Sequence, residues 1–151
     1  MDAANRDCAA IAALTEESDA KLNKLAIAMN RDDRLDLTYD GKPGLLRNAT
    51  ECGMFSQSGD FELVCQWDFG NDPGAASALF SAYRIRIAKC LAVPFLKQES
   101  GSDDETAAPE RYRADIEHPD NSETTIKFAL RETNYGETPR FVVHFDVSRS
   151  D

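Results

Sequence analysis

The sequence predicts an α+β fold, in which two main helices pack on one face of a curved, mostly antiparallel sheet of about five to six strands. Several short segments alternate apolar and polar residues with the period of two that a half-buried strand requires. Two longer segments repeat apolar residues at spacings of three and four, as amphipathic helices do. The length of 151 residues, with 42% hydrophobic residues, suits one domain over residues 1–151.

The first predicted helix extends from Ala3 to Met29. Its stripe of residues at spacings of three and four consists of Cys8, Ile11, Thr15, Ser18, Leu22, Leu25 and Met29. Thr15 is followed by two glutamates, which is typical of a new helix start, so the segment forms one helix or two that meet near Leu14. In both cases Cys8 lies on the buried side.

The first strands follow this helix. Alternation predicts a short strand from Arg34 to Tyr39, then a turn at residues 40–41 and a loop over residues 42–44. The segment 61–69, FELVCQWDF, alternates most clearly and contains the only tryptophan. We therefore expect residues 61–69 to form the central buried strand of the sheet.

Two cysteines are predicted to pair across a hairpin. Ser58 and Gly59 suit a two-residue turn, which places Cys52 opposite Cys65 with their Cα atoms roughly 4.5 Å apart. That separation permits a disulfide. Cys8 and Cys90 are then left for a second bond, although four reduced cysteines in a cytosolic core are the alternative.

The second predicted helix begins with Asp72 as N-cap and Pro73 in the first turn. It ends near Val93, because Pro94 cannot continue a helix. Its buried stripe consists of Ala76, Phe80, Tyr83, Ile87 and Cys90. Since Cys90 and Cys8 both face inward, a disulfide between them would tie the two helices together.

An acidic segment, QESGSDDETAAP, covers residues 98–109 and contains no aromatic residue. This composition predicts a mobile surface loop. Its carboxylates lack the spacing of a calcium-binding loop.

The rest of the chain predicts a three-stranded meander. The inward residues of its strands are Tyr112, Ala114 and Ile116, then Thr124, Ile126, Phe128 and Leu130, and finally Phe141, Val143, Phe145 and Val147. Facing these sets inward together places Arg113, Lys127 and His144 in one outward row. Arg131 is then beside Arg140.

The outward side of this meander is therefore predicted to be cationic, while Asp115 and Asp146 flank Thr125. Like charges in adjacent strands are mildly destabilising, and a bound acidic partner would explain them. The alternative is that these side chains extend into solvent and pair with nearby glutamates. The candidate partner-binding residues are Arg111, Arg113, Lys127, Arg131, Arg140 and His144.

No motif for catalysis, a metal or a cofactor is recognisable in the sequence. The two histidines, His118 and His144, are predicted to lie too far apart to share a metal or a proton. We therefore expect no catalytic residue, no metal and no cofactor.

Composition limits the partners and the compartment. With 17 Lys and Arg against 27 Asp and Glu, the formal net charge is −10, which disfavours binding to nucleic acid or an anionic membrane surface. No apolar run approaches the ~20 residues of a membrane span. The first residues lack a signal-peptide pattern, so the chain is either a mature periplasmic or secreted protein, as the cysteines favour, or a cytoplasmic one.

Three functions remain open from the sequence. The first is an exported, disulfide-stapled protein-binding module of inhibitor, immunity or accessory type. The second is a cytosolic secretion chaperone or adaptor. The third is an enzyme or small-ligand carrier with its site in the sheet concavity, near Asp36 or Asp68 and lined by Tyr39, Trp67, Tyr83 or Tyr112. The fold content is similar, at fold level only, to that of cystatin-like cones and of small α/β secretion chaperones.

Overall fold

A computed structural model describes Cys8 and residues 38–39, 42–43, 50–57, 60–98, 107–119, 121–133 and 138–150. At residues 38–39, 42–43, 51–57, 60–61, 107–109 and 150 this description covers the backbone alone. The predicted first helix lies outside these ranges, apart from Cys8, which is helical. Most of the predicted acidic loop also lies outside them.

The described elements comprise one complete helix and eight strands. The helix α1 spans Pro73–Cys90. The strands are β1 (Thr38–Tyr39), β2 (Lys42–Pro43), β3 (Glu51–Gln57), β4 (Asp60–Asp68), β5 (Leu96–Lys97), β6 (Ala107–Glu117), β7 (Glu123–Thr133) and β8 (Arg140–Ser150).

Six of these strands form one sheet in the order β3-β4-β8-β7-β6-β5, and every described pair within it is antiparallel. The α+β class and the antiparallel sheet are thus confirmed. No helix in the described part of the chain has the length and apolar character needed to cross a membrane.

The prediction that residues 61–69 form the central strand is wrong in position. The strand β4 is buried and has a neighbour on each side, but β8 and β7 occupy the middle of the sheet. Apolar alternation indicates only that one face of a strand is buried. Phe145 on β8 is as fully buried as Leu63 on β4. Alternation therefore does not reveal where in the sheet a strand lies.

A small two-stranded sheet precedes the main one. The strands β1 and β2 pair with Thr38 opposite Pro43. The last two residues of the predicted strand 34–39 thus form β1, and residues 34–37 lie outside the described part of the chain. Lys42–Pro43, which is predicted as loop, forms the strand β2. A Pro is tolerated in so short a pair because such a strand end needs few donors.

The register of the first hairpin is confirmed. Met54 lies opposite Leu63, and Cys52 lies opposite Cys65. The structure also joins Cys8 to Cys90, with Cα atoms 4.8 Å apart. Cys65 is disulfide-bonded as well. The predicted bond between Cys65 and Cys52 itself remains a prediction, since the Cys52 side chain lies outside the described part.

The helix α1 begins as its sequence predicts. The Asp72 carboxylate accepts a hydrogen bond from the Ala75 backbone N–H at 3.0 Å, and Pro73 occupies the first turn. The helix ends at Cys90, earlier than the predicted Val93, because the backbone of Leu91 is already extended. Pro94 therefore follows the helix end and does not cause it.

The core lies between α1 and one face of the sheet. Phe80 of the helix stacks on Phe128 with ring centroids 4.9 Å apart, and Phe128 meets Phe145 edge to face. Trp67 and Tyr83 also pack edge to face, at 5.6 Å. Burying these rings supplies the main stabilisation of the α1–sheet interface.

The strand β6 starts earlier than predicted. Ala107–Pro109, which the sequence analysis assigns to the mobile loop 98–109, belongs to this strand. Its register shifts between Ala107 and Glu110, the kind of irregularity that accommodates a proline in a strand. Gln98, at the other end of the predicted loop, donates its backbone N–H to the Arg111 carbonyl.

Of the two registers predicted for the meander, one is confirmed and the other is wrong. The pairing of β6 with β7 is as predicted, with Arg113 opposite Lys127. In the pairing of β7 with β8, Lys127 lies opposite Asp146 and not His144. Arg131 lies opposite Val142, not Arg140. The predicted register is therefore wrong by two residues, which leaves each side chain on its predicted face but changes its neighbour.

Candidate functional site

The outer face of the sheet, opposite α1, holds a pocket of about 340 Å³. We call it the cationic pocket. Its outward side chains come from the end of β5 and from β6, β7 and β8, and they are Gln98, Arg111, Arg113, Lys127, Ala129, Arg131, His144 and Asp146. Its volume lies at the lower end of the range typical of small-ligand sites.

Strand pairing explains why these residues meet. Two rows cross the three strands, one with Arg113, Lys127 and Asp146 and the other with Arg111, Ala129 and His144. Side chains two residues apart on a strand share a face, so Arg131 extends from the same side as Ala129. Ala129 is the one small side chain among them, and it leaves room between its long neighbours.

Arg113 forms an ion pair with Asp115 on its own strand. Its Nε donates to both carboxylate oxygens of Asp115 at 3.1 and 3.2 Å, and Thr125 donates its hydroxyl to Asp115 at 2.8 Å. These hydrogen bonds, that from Arg113 first, lower the pKa of the Asp115 carboxyl. The Arg113 charge is therefore partly neutralised.

Arg131 differs from Arg113, because no described residue accepts a hydrogen bond from its buried Nε. Burial lowers the pKa of its guanidinium, and the neighbouring positive charge of Arg111 lowers it further. The guanidinium groups of Arg131 and Arg111 thus lie close enough for their charges to repel each other, while Asp146 acts in the opposite sense on the pKa of Arg131.

Asp146 is the acid in the lining of the cationic pocket, and its pKa is raised. Burial, followed by a hydrogen bond and charge repulsion from Glu62 of β4, raises the pKa of the Asp146 carboxyl to about 7. Lys127 and Arg131 act against this shift but do not prevent it. The Asp146 carboxyl consequently carries a proton much of the time at neutral pH.

His144 is held neutral at physiological pH. Burial lowers the pKa of its imidazole to about 4, and the positive charges of Arg131 and Lys127 add to this effect, while Glu62 opposes it. A neutral imidazole still has one N–H to donate. His144 therefore offers a hydrogen-bond donor in the lining of the cationic pocket.

The predicted site residues are largely brought together. Five of them, Arg111, Arg113, Lys127, Arg131 and His144, line the cationic pocket. Arg140 does not line it, because its Nη2 forms an ion pair with Asp68 at 2.6 Å. That these five residues bind a partner remains a prediction.

Two acids close to the pocket, Asp146 and Glu62, are not among the predicted site residues. The predicted β7–β8 register is displaced by two residues, so it places Asp146 opposite Thr125 instead of Lys127. Glu62 was not placed, since no turn fixes how β4 pairs with β8. The only available signal was the outward position of Glu62 in the alternation of β4.

The aromatic residues proposed for a site in the sheet concavity have other roles where the structure describes them. Trp67 is 3% exposed and packs on Tyr83. Tyr112 contacts the rings of Phe80 and Phe95 and lies beneath the Arg84 guanidinium. These contacts are those of core residues.

No protein-family model matches the chain, and no curated protein or solved structure is significantly similar to it.

Proposed function

We propose that this protein is an exported, disulfide-stapled binding module that recognises an acidic segment of another protein with the outer face of its sheet. It would act by surface complementarity, as an inhibitor, immunity factor or accessory subunit does. The observation that carries the proposal is the collection of Arg111, Arg113, Lys127 and Arg131 around one pocket of a chain with a formal net charge of −10.

The electrostatics favour an acidic partner. A cationic face on an acidic molecule orients an approaching anionic surface and rejects cationic ones, which gives specificity and a faster encounter. Arginine is also well suited to this role, since its planar fork binds a carboxylate through two parallel hydrogen bonds. Nucleic acid is a poorer candidate, because the remainder of the molecule would repel a phosphate backbone.

The cysteines favour export. The Cys8–Cys90 bond joins residues separated by 82 positions, and such bonds persist in oxidising compartments. In our proposal Cys52 bonds to Cys65 across the hairpin, and the segment around Cys8 forms a second helix on the core face of a curved sheet. Both bonds would hold the cationic face rigid and so lower the entropic cost of binding.

Comparison of two single variants tests this function. Lys127→Glu places a negative charge in the cationic pocket, and Lys89→Glu makes the same change on the exposed surface of α1. Each protein is immobilised and exposed to the native periplasm or medium at low and moderate salt. We expect wild type and Lys89→Glu to retain the same acidic protein and Lys127→Glu to lose it.

Unfolding curves of both variants show whether the fold is retained. Because exposed charges are screened by salt, capture should also weaken as ionic strength rises. Equal capture by Lys127→Glu and Lys89→Glu would overturn the proposed use of the sheet face. Four free thiols in protein recovered from its own compartment would overturn export.

A further inference from the structure

The cationic pocket contains a feature that a flat protein contact does not need. Arg131 keeps its Nε buried without an acceptor among the described residues, and the Arg111 charge lies close enough to lower the pKa of its guanidinium. A buried polar group without a partner destabilises a fold. An anion entering the pocket would offset the repulsion between the two cations.

The space for that anion lies between these two side chains. Ala129 is opposite Arg111 in the ladder and immediately precedes Arg131 on the same face, and its methyl group fills little of the volume between them. The resulting pocket of about 340 Å³ is larger than one carboxylate needs and admits a short chain attached to it. It is therefore a pocket for a group that projects into the sheet face.

The lining of the pocket suits a carboxylate. His144, which is held neutral, keeps one N–H in this lining, while Asp146 shares a hydrogen bond with Glu62 of β4. The planar fork of an arginine binds the two oxygens of a carboxylate through parallel hydrogen bonds. A carboxylate also accepts a hydrogen bond from the N–H of a neutral imidazole.

We propose that the cationic pocket is a carboxylate-binding site, in which Arg131 and Arg111 hold the carboxylate and His144 lies in the same lining. The inference rests on the proposed function, because the carboxylate is assigned to an acidic side chain of the protein partner. A free small acid presents the same group, and the experiment separates these two sources.

Calorimetry on the purified full chain tests the site with three defined probes. The probes are glutarate, its neutral diamide, and a glutamate-rich octapeptide whose control has glutamine at every glutamate. We expect wild type to bind glutarate and the glutamate peptide, with the peptide at least about tenfold tighter because it adds neighbouring charges. The diamide and the glutamine peptide should not bind.

Two matched variants assign the site. Arg131→Met removes the buried cation but keeps the length of the side chain, and Arg140→Met makes the same change on the same face outside the pocket. We expect at least about a tenfold loss of glutarate affinity in Arg131→Met and no loss in Arg140→Met. Arg131→Met should unfold at the same or a higher temperature than wild type, since it removes an unpaired buried group.

The outcomes distinguish this site from the proposed function. Capture of the acidic protein without glutarate binding overturns the site and leaves the function. Glutarate binding as tight as peptide binding supports the site and overturns a protein partner. Equal binding of the diamide, or unchanged affinity in Arg131→Met, overturns the site.

Discussion

At the scale of single residues, the outer face of the sheet owes its chemistry to burial more than to formal charge. Asp146 and His144 lie on one strand, and desolvation is the main cause of both shifts: the pKa of the acid rises and that of the imidazole falls. Both groups therefore tend towards their neutral forms near pH 7. The cations around them remain charged, so the pocket is more positive than its sequence suggests.

A pH dependence of stability follows for Asp146. Its pKa is about 7 in the folded protein against an ordinary value of 3.8, so the folded state binds the proton more tightly. Stability from this group is present at low pH and is lost as pH rises from about 4 to about 7. We expect Asp146→Asn to gain about 1–2 kcal/mol over wild type between pH 4 and pH 8, allowing for partial exposure.

Urea unfolding at several pH values measures this gain. The charged groups facing Asp146 from neighbouring strands are Glu62, Lys127 and Arg131, and they are unchanged in the variant. Asp115→Asn is the control, and its effect on stability should depend on pH in the opposite direction. Hydrogen bonds from Arg113 and Thr125 lower the pKa of Asp115, whereas the pKa of Asp146 is raised. It should lose stability at pH 8 and approach wild type as pH falls. Parallel pH curves for Asp146→Asn and wild type would contradict the prediction.

The lowered pKa of His144 predicts a loss of stability at acidic pH, and its titration can be measured directly. Its pKa of about 4 means that stability is lost as pH falls from about 6.5 to about 4, because the unfolded chain takes up the proton first. Proton NMR of the imidazole should give a midpoint near 4, with His118→Gln used to assign the signals. A midpoint near 6.5 would mean that the pocket is open to water.

At the scale of elements, the helix was predictable because its signals are local. Asp72, Pro73 and the stripe at spacings of three and four mark its start and its buried side, and Ala76, Phe80 and Ile87 are fully buried. The first hairpin was predictable for the same reason, since a two-residue turn fixes the register of the strands beside it.

The β7–β8 register was not predictable in the same way. Residues 134–139 have no short turn signature that would fix the pairing. Any even shift keeps Val143, Phe145 and Val147 on the core face, so the apolar pattern accepts the wrong register as readily as the right one. The sequence therefore identified five residues of the cationic pocket but not the acids that neighbour them.

The N-cap of α1 provides a test at this scale. Asp72→Ala removes the acceptor for the Ala75 N–H, and we expect a loss of about 1 kcal/mol in the free energy of unfolding. Asn71→Ala, at the preceding exposed residue, should change it by less than about 0.5 kcal/mol. Chemical denaturation of both variants provides the comparison. Equal losses would show that the cap does not anchor the helix.

At the scale of the whole molecule, the disulfide between Cys8 and Cys90 ties a distant segment to the end of α1. Closing so long a loop restricts the unfolded chain, so Cys8→Ala/Cys90→Ala should lose about 4 kcal/mol. Cys52→Ala/Cys65→Ala, which would open the shorter loop closed by the proposed hairpin bond, should lose about 3 kcal/mol. Denaturant unfolding measures both losses. A thiol count of the unfolded wild type under non-reducing conditions should find no free thiol.

The order of strands also determines when the sheet can form during synthesis. The strands β4 and β7 do not pair with each other, and each pairs with β8, which follows both in the chain. While residues 140–150 are still inside the ribosome, the nascent chain holds two partial sheets with open edges. The complete core therefore forms only once β8 has been inserted between β4 and β7.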